Sequence, residues 1–120
     1  FYLSATPGNA YVGYYPSDES AIMSKVWVPS GNRTWNNSNL ASYAQTGTLF
    51  KDGNTSTSSW GSTFTTGDII QIAVDADNDA VYFGKNNTWQ NSGDPTSGSS
   101  KTGAARTSIP KNVMQMVQEQ

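Results

Sequence analysis

"GDIIQIAVDADNDAVYFGKNNTW", residues 67–89, decides the fold. Within it Ile70, Ile72 and Val74 alternate with Ile69, Gln71, Ala73 and Asp75. A period of two places successive side chains on opposite faces, which is the pattern of a strand and not of a helix. Val81 and Phe83 repeat the alternation in a partner strand, so the two form a hairpin. Gly67-Asp68 marks a turn ahead of the first strand, and Asn86-Asn87 closes the second, because Asn tolerates positive φ. The connection "DADNDA", Asp75–Ala80, holds the densest acid cluster in the chain. Its opening matches a calcium loop of the D-x-[DN]-x-[DN]-G type. Yet position six is Ala80 where that loop needs Gly, and position twelve is Asn86 where it needs a bidentate Glu. The spacing reads as a bend in which Asp and Asn side chains cap backbone N–H groups. Calcium held by Asp75, Asp77 and Asp79 is the competing reading.

Outward from this segment the same rhythm recurs. "SYAQTGTLFKDGN" gives two short strands around Gly47 and a turn at Asp52-Gly53. "SSWGSTFTTGD" follows, with Phe64 assigned to a strand. At the start of the chain, "FYLSATPGNAYVGYY" reads as a hairpin of Phe1–Ala5 and Ala10–Tyr15 about Pro7-Gly8-Asn9. Lys25–Pro29 has the composition of a short strand, and Ser30–Leu40 that of a loop. Asn91–Ala105 reads as a long flexible loop. In the tail, Met114 and Met116 alternate as in a strand, whereas Val113 and Val117 lie one helical turn apart; a closing strand is the expectation.

Composition agrees with strands. Ser, Thr, Asn and Gly replace Lys and Glu as the main polar residues, which disfavours helices, since Ser and Asn compete for backbone hydrogen bonds and Gly costs entropy. With 120 residues the chain is expected to be one domain, and such a domain buries about two-thirds of its unfolded surface. It begins at Phe1 in strand-like sequence without a signal-peptide pattern, so a processed or trimmed piece of something longer is expected.

What is missing from the composition narrows function further. There is no His and no Cys, which removes Ser–His–Asp and Cys–His nucleophiles, disulfides and ordinary zinc sites. Net charge is −2 with 13% charged residues, so no basic patch for nucleic acid is built. No apolar run approaches the roughly 20 residues of a membrane span. A glycosidase pair is not in view either, because Glu19 and Glu119 both fall in segments read as loop or terminus. The expectation is a protein without catalytic residues, metal or cofactor.

Tyr43, Gly47, Phe50, Gly53, Trp60-Gly61, Phe64, Gly67-Asp68-Ile69-Ile70, Val74-Asp75-Ala76-Asp77, Val81-Tyr82-Phe83, Lys85-Asn86 and Trp89 form a spacing that resembles the SPRY family. Val12-Gly13 is similar to the Val-Gly of that family's early hairpin. The resemblance spans residues 1–90, with Gly93–Ser99 added. Asn87 stands where the family has Gly, and Asn78-Asp79 where it has Asn-Gly; both departures keep turn-forming residues. The resemblance implies an antiparallel two-sheet β-sandwich of jelly-roll type that binds partners through loops and does no chemistry. It also implies that the family's first strand is absent before Phe1. Members this rich in Ser, Thr, Asn and Gly resemble those of phage virions and bacterial surfaces, which points to a virion or extracellular location.

Among candidate contact residues, Trp35 falls in a Gly-Asn-Ser loop where nothing predicts burial, and Asn36 follows it. Tyr15, beside Tyr14, and Trp27 flank the same irregular region. Exposed Trp and Tyr on loops anchor protein hot spots and also stack on sugar rings. Tyr15, Trp27, Trp35 and Asn36 are therefore the expected partner-binding residues. Core packing is the expectation for Tyr43, Phe50, Phe64, Tyr82 and Phe83, and also for Trp60 and Trp89. The expected partner is another protein or copies of the chain itself, with a glycan as the alternative, and neither nucleic acid nor membrane. Asn-x-Ser/Thr sequons at Asn32, Asn36, Asn54 and Asn86 matter only along a eukaryotic secretory route.

Overall fold

A computed structural model of the protein describes residues 10–16, 41–51, 55–109 and 113–119. Phe1–Ala5, Pro7-Gly8-Asn9, Lys25–Pro29, Ser30–Leu40 and Asp52-Gly53 lie outside the described residues. The chain is all-β, with two antiparallel sheets. The first contains β1 (Ala10–Pro16), β2 (Ala41–Ala44), β3 (Leu49–Lys51), β4 (Thr55–Thr57) and β8 (Val113–Glu119), in the order β4-β3-β2-β1-β8. The second is β5 (Ile70–Asp75), β6 (Ala80–Lys85) and β7 (Thr88–Trp89), joined in sequence.

The closing strand of the tail is present: β8 pairs with β1 along its whole length, from Ala10↔Glu119 to Pro16↔Val113. β2 pairs with the other edge of β1 from Tyr11 to Gly13. Among the described residues β1 is thus flanked by β2 on one side and β8 on the other. The turn at Gly47 joins β2 to β3, with Gly47 N–H donating to the Ala44 carbonyl at 2.9 Å.

Register decides which side chains meet. Val12, Tyr43 and Leu49 oppose one another across β1, β2 and β3, and all three are buried. In the second sheet Ile70, Val81 and Phe83 are fully buried, and Ile72, opposite Phe83, packs against them. The two sheets meet at Tyr43 and Phe83, whose ring centroids are 6.0 Å apart. Burial of aromatic rings contributes more per residue than any other side-chain type, and edge-to-face pairs add to it. Val74 shares the face of Ile70 and Ile72 but remains 42% exposed, because it lies at the bend end of the hairpin.

Residues 58–68 correct the sequence reading, since no strand forms there and Phe64 belongs to an irregular strap. Its backbone polar groups go to both sheets. Gly61 N–H donates to Gly47 O (3.0 Å), Phe64 N–H to Gln45 O (3.0 Å) and Ser62 N–H to Gln90 Oε1 (2.7 Å). Tyr43 Oη donates to Ser62 O, and Lys85 Nζ to Thr63 O at 2.8 Å. A segment held in this way satisfies these backbone groups without joining a strand ladder. It carries Trp60 and Phe64 inward onto Tyr43, at 5.6 and 5.0 Å between centroids.

Candidate binding surface

Tyr15 is in β1, opposite Met114, with its side chain outside the described set; Trp27, Trp35 and Asn36 lie outside the described residues altogether. The four expected contact residues are therefore not brought together by anything the structure describes.

The acid cluster forms the bend between β5 and β6, as its spacing indicates. Asp75 Oδ1 accepts from Asn78 N–H at 3.1 Å, and its Oδ2 from Asn78 Nδ2 at 2.8 Å. Asp79 takes φ +56, a conformation that Asp tolerates better than most residues. The Asp75 carboxylate serves the turn, and among the described residues no group of three or more His, Cys, Asp or Glu is arranged to hold a metal ion.

Turns also fix the charged groups near β6. Asn86 and Asn87 adopt φ +48 and +64, a two-residue turn whose twist suits the flanking strands. Asn86 Oδ1 accepts from Ile69 N–H, and its Nδ2 donates to Asp68 Oδ1, each at 2.8 Å. Asp68 Oδ2 accepts from Thr65 N–H at 2.8 Å and lies 3.3 Å from Lys85 Nζ. These donors hold Asp68 below the usual carboxylate range, Thr65 N–H first, then the Asn86 amide and Lys85. Asp94 is lowered in the same way by the Thr96 hydroxyl and then by Thr96 N–H. Burial, with the Asp68 charge second, pushes the Tyr43 phenol up, so it is a neutral hydrogen-bond donor.

The outer face of the second sheet has two unlike halves. Tyr82, opposite Ala73, points away from the core and would be half-exposed in a bare sheet, yet it is 1% exposed. Residues 90–105 cover it. Their segment, read from sequence as flexible, is internally hydrogen-bonded. Asp94 N–H donates to Thr102 O (3.0 Å), Thr102 N–H to Ser97 Oγ (2.9 Å) and Lys101 N–H to Gly98 O (3.1 Å). It returns to the sheet at Val81, where Ala105 N–H donates to Val81 O (2.8 Å) and Val81 N–H to Arg106 O (3.1 Å). Gly103, at φ +66, makes the crossing possible: a Cβ there would fall 2.5 Å from Asn91 O and from Gly93 Cα.

In the other half Gln71 and Trp89 are half-buried. Gln71, Gly84 and Trp89 stand opposite one another across β5, β6 and β7. Trp89 is half-buried and packs on the sheet, outside the aromatic core. Its six-membered ring leans over Gly84, where a Cβ would meet Cε3 at 2.9 Å and Cζ3 at 3.2 Å. Gln71 completes the row: its Oε1 accepts from Asn87 N–H at 2.7 Å, and its Nε2 donates to Asn87 Oδ1 at 3.3 Å. The signal for this row was present in sequence as Gln71 and Trp89, but only the strand register joins them.

Compared with family models, curated proteins and solved structures, the chain matches none. Fold and surface together define an all-β two-sheet protein that uses Asp68, Asp75, Asp94 and Lys85 to hold turns and loops and carries a half-buried, uncharged Gln71–Trp89 row on one sheet face.

Proposed function

We propose that the chain is a non-catalytic binding and assembly module of SPRY type. It acts as a structural component of a virion (fibre, decoration or capsid-associated domain) or of a related extracellular surface structure, in contact with other proteins or with copies of itself. The observation that carries this reading is how polar groups are used around the second sheet. Asp68, Asp75, Asp94 and Lys85 are engaged in holding turns and loops in place. A scaffold whose loops are fixed by their own side chains is pre-organised for contact, which lowers the entropy lost on binding. Absence of His and Cys and a low charge density support the same reading, since neither an imidazole or thiolate nor a basic nucleic-acid footprint is supplied.

Immunogold labelling with an antibody raised against the 120-residue chain tests it in the producing culture. Label on particles or on cell surfaces is the expected result. Label confined to the cell interior contradicts the proposal.

A further inference from the structure

We propose that the Gln71–Gly84–Trp89 row, with Asn87 at its end, is a binding site for a neutral sugar ring. The inference concerns a different surface from the loops invoked for assembly and stands independently of the chain's location.

Three observations carry it. The first is the indole's posture. Gly84 offers no side chain, so the Trp89 ring leans across the sheet toward Gln71 instead of standing upright beside it. A pyranose has one face made of C–H groups, and an indole's negative π face attracts such polarised hydrogens while shielding apolar surface from water. Among the described residues the indole N–H has no acceptor.

The second is the pair of carboxamides. Gln71 and Asn87 are joined by two hydrogen bonds that fix both side chains, at 2.7 and 3.3 Å. A primary amide has two N–H donors and two acceptor lone pairs, so each still has capacity to spare. Sugar hydroxyls both donate and accept, and a fixed amide pair beside an aromatic ring meets them without rearrangement.

The third is charge and size. Gln71, Ala73, Gly84, Asn87 and Trp89 are all neutral, and Ile69, 49% exposed on the same side of the strand as Gln71, adds apolar rim. Nothing in the row compensates a phosphate or sulfate, which would call for Arg, Lys or a cluster of backbone donors. One half-buried aromatic and its few neighbours also offer less than the roughly 800 Å² per side of a stable protein interface. A single sugar ring is the occupant of matching size and polarity, held with a dissociation constant on the order of millimolar.

The ¹⁵N-labelled chain, titrated with the methyl glycosides of mannose, galactose and N-acetylglucosamine and with sodium sulfate, tests the site. At least one glycoside is expected to shift the Trp89 indole N–H and the Asn87 amide saturably, leaving the buried Trp60 indole unmoved. Trp89→Ala is expected to weaken that binding by about tenfold or more. Gln71→Ala, which keeps the indole, is expected to weaken it by a few-fold, and it reports on the site should Trp89→Ala fail to fold. No shift with any glycoside, a response to sulfate alone, or unchanged affinity in Gln71→Ala and Trp89→Ala overturns the proposal.

Discussion

On the inner face of β5–β7, Ile70, Val81 and Phe83 are buried against Tyr43 and Trp60. On the outer face of the same strands, Tyr82 is sealed by residues 90–105 while Gln71 and Trp89 stay half-exposed two positions away. Alternation along a strand assigns side chains to faces and says nothing of what covers each face. The inner face is closed by a second sheet through rings of high apolar area. Among the described residues the outer face is closed at the Tyr82 end, by a polar loop held through hydrogen bonds. The first closure is driven by apolar burial and the second by geometry, so the two should respond to different perturbations.

The largest effect is expected inside. Phe83→Ala removes the ring that touches both Tyr43 and Trp60, and should cost about 3–5 kcal/mol in denaturant unfolding. A loss below about 1 kcal/mol would mean that the sheets do not meet there. Next, Gly103→Ala forces a Cβ against Asn91 and Gly93 at positive φ, and should cost more than about 1 kcal/mol. It should also speed amide exchange in residues 94–105 before any change appears in β5.

Acid sharpens the comparison from the polar side. Asp68 titrates below 3.8 in the fold, so its stabilising contribution is fully present above that value and fades as pH falls through its lowered folded pKa. Asp94 acts with the same sign. The native protein should therefore lose stability steadily at pH values below 3.8, and Asp68→Asn should flatten that limb of the curve while leaving the core's near-ultraviolet dichroism intact. A curve unchanged by Asp68→Asn would remove Asp68 from the strap's support. The smallest effect is expected at the turn. Asn87→Gly relieves φ +64 and forfeits one 3.3 Å hydrogen bond, for a net change in stability within about 0.5 kcal/mol.

Much of the architecture was legible because it is local. Period two in Ile69–Asp75, the Gly67-Asp68 and Asn86-Asn87 turns, and the Met114/Met116 alternation each state their structure within a few residues. The strap was not legible. Trp60 and Phe64 have strand-like composition, but their backbone is held by Gln45, Gly47 and Gln90, whose positions only the fold sets. Asn91–Ala105 looked flexible because Ser, Gly and Thr carry no hydrophobic signal, and the hydrogen bonds that order it depend on Gly103 and on the Val81 backbone. The Trp89 row was hidden for the same reason. Gln71, Gly84 and Trp89 are neighbours only through register across three strands, whereas Trp35 and Trp27 stand out in sequence by lying in or beside the irregular Ser30–Leu40 stretch.

Residue-resolved amide hydrogen exchange at Val81 and Ala105 tests most directly whether a polar loop closes the Tyr82 end of the outer sheet face. Both amides bond across that seam, at 3.1 and 2.8 Å, and should exchange as slowly as the β5–β6 ladder. Exchange of Val81 and Ala105 at the rate of the exposed Ser99 and Ser100 would contradict the account.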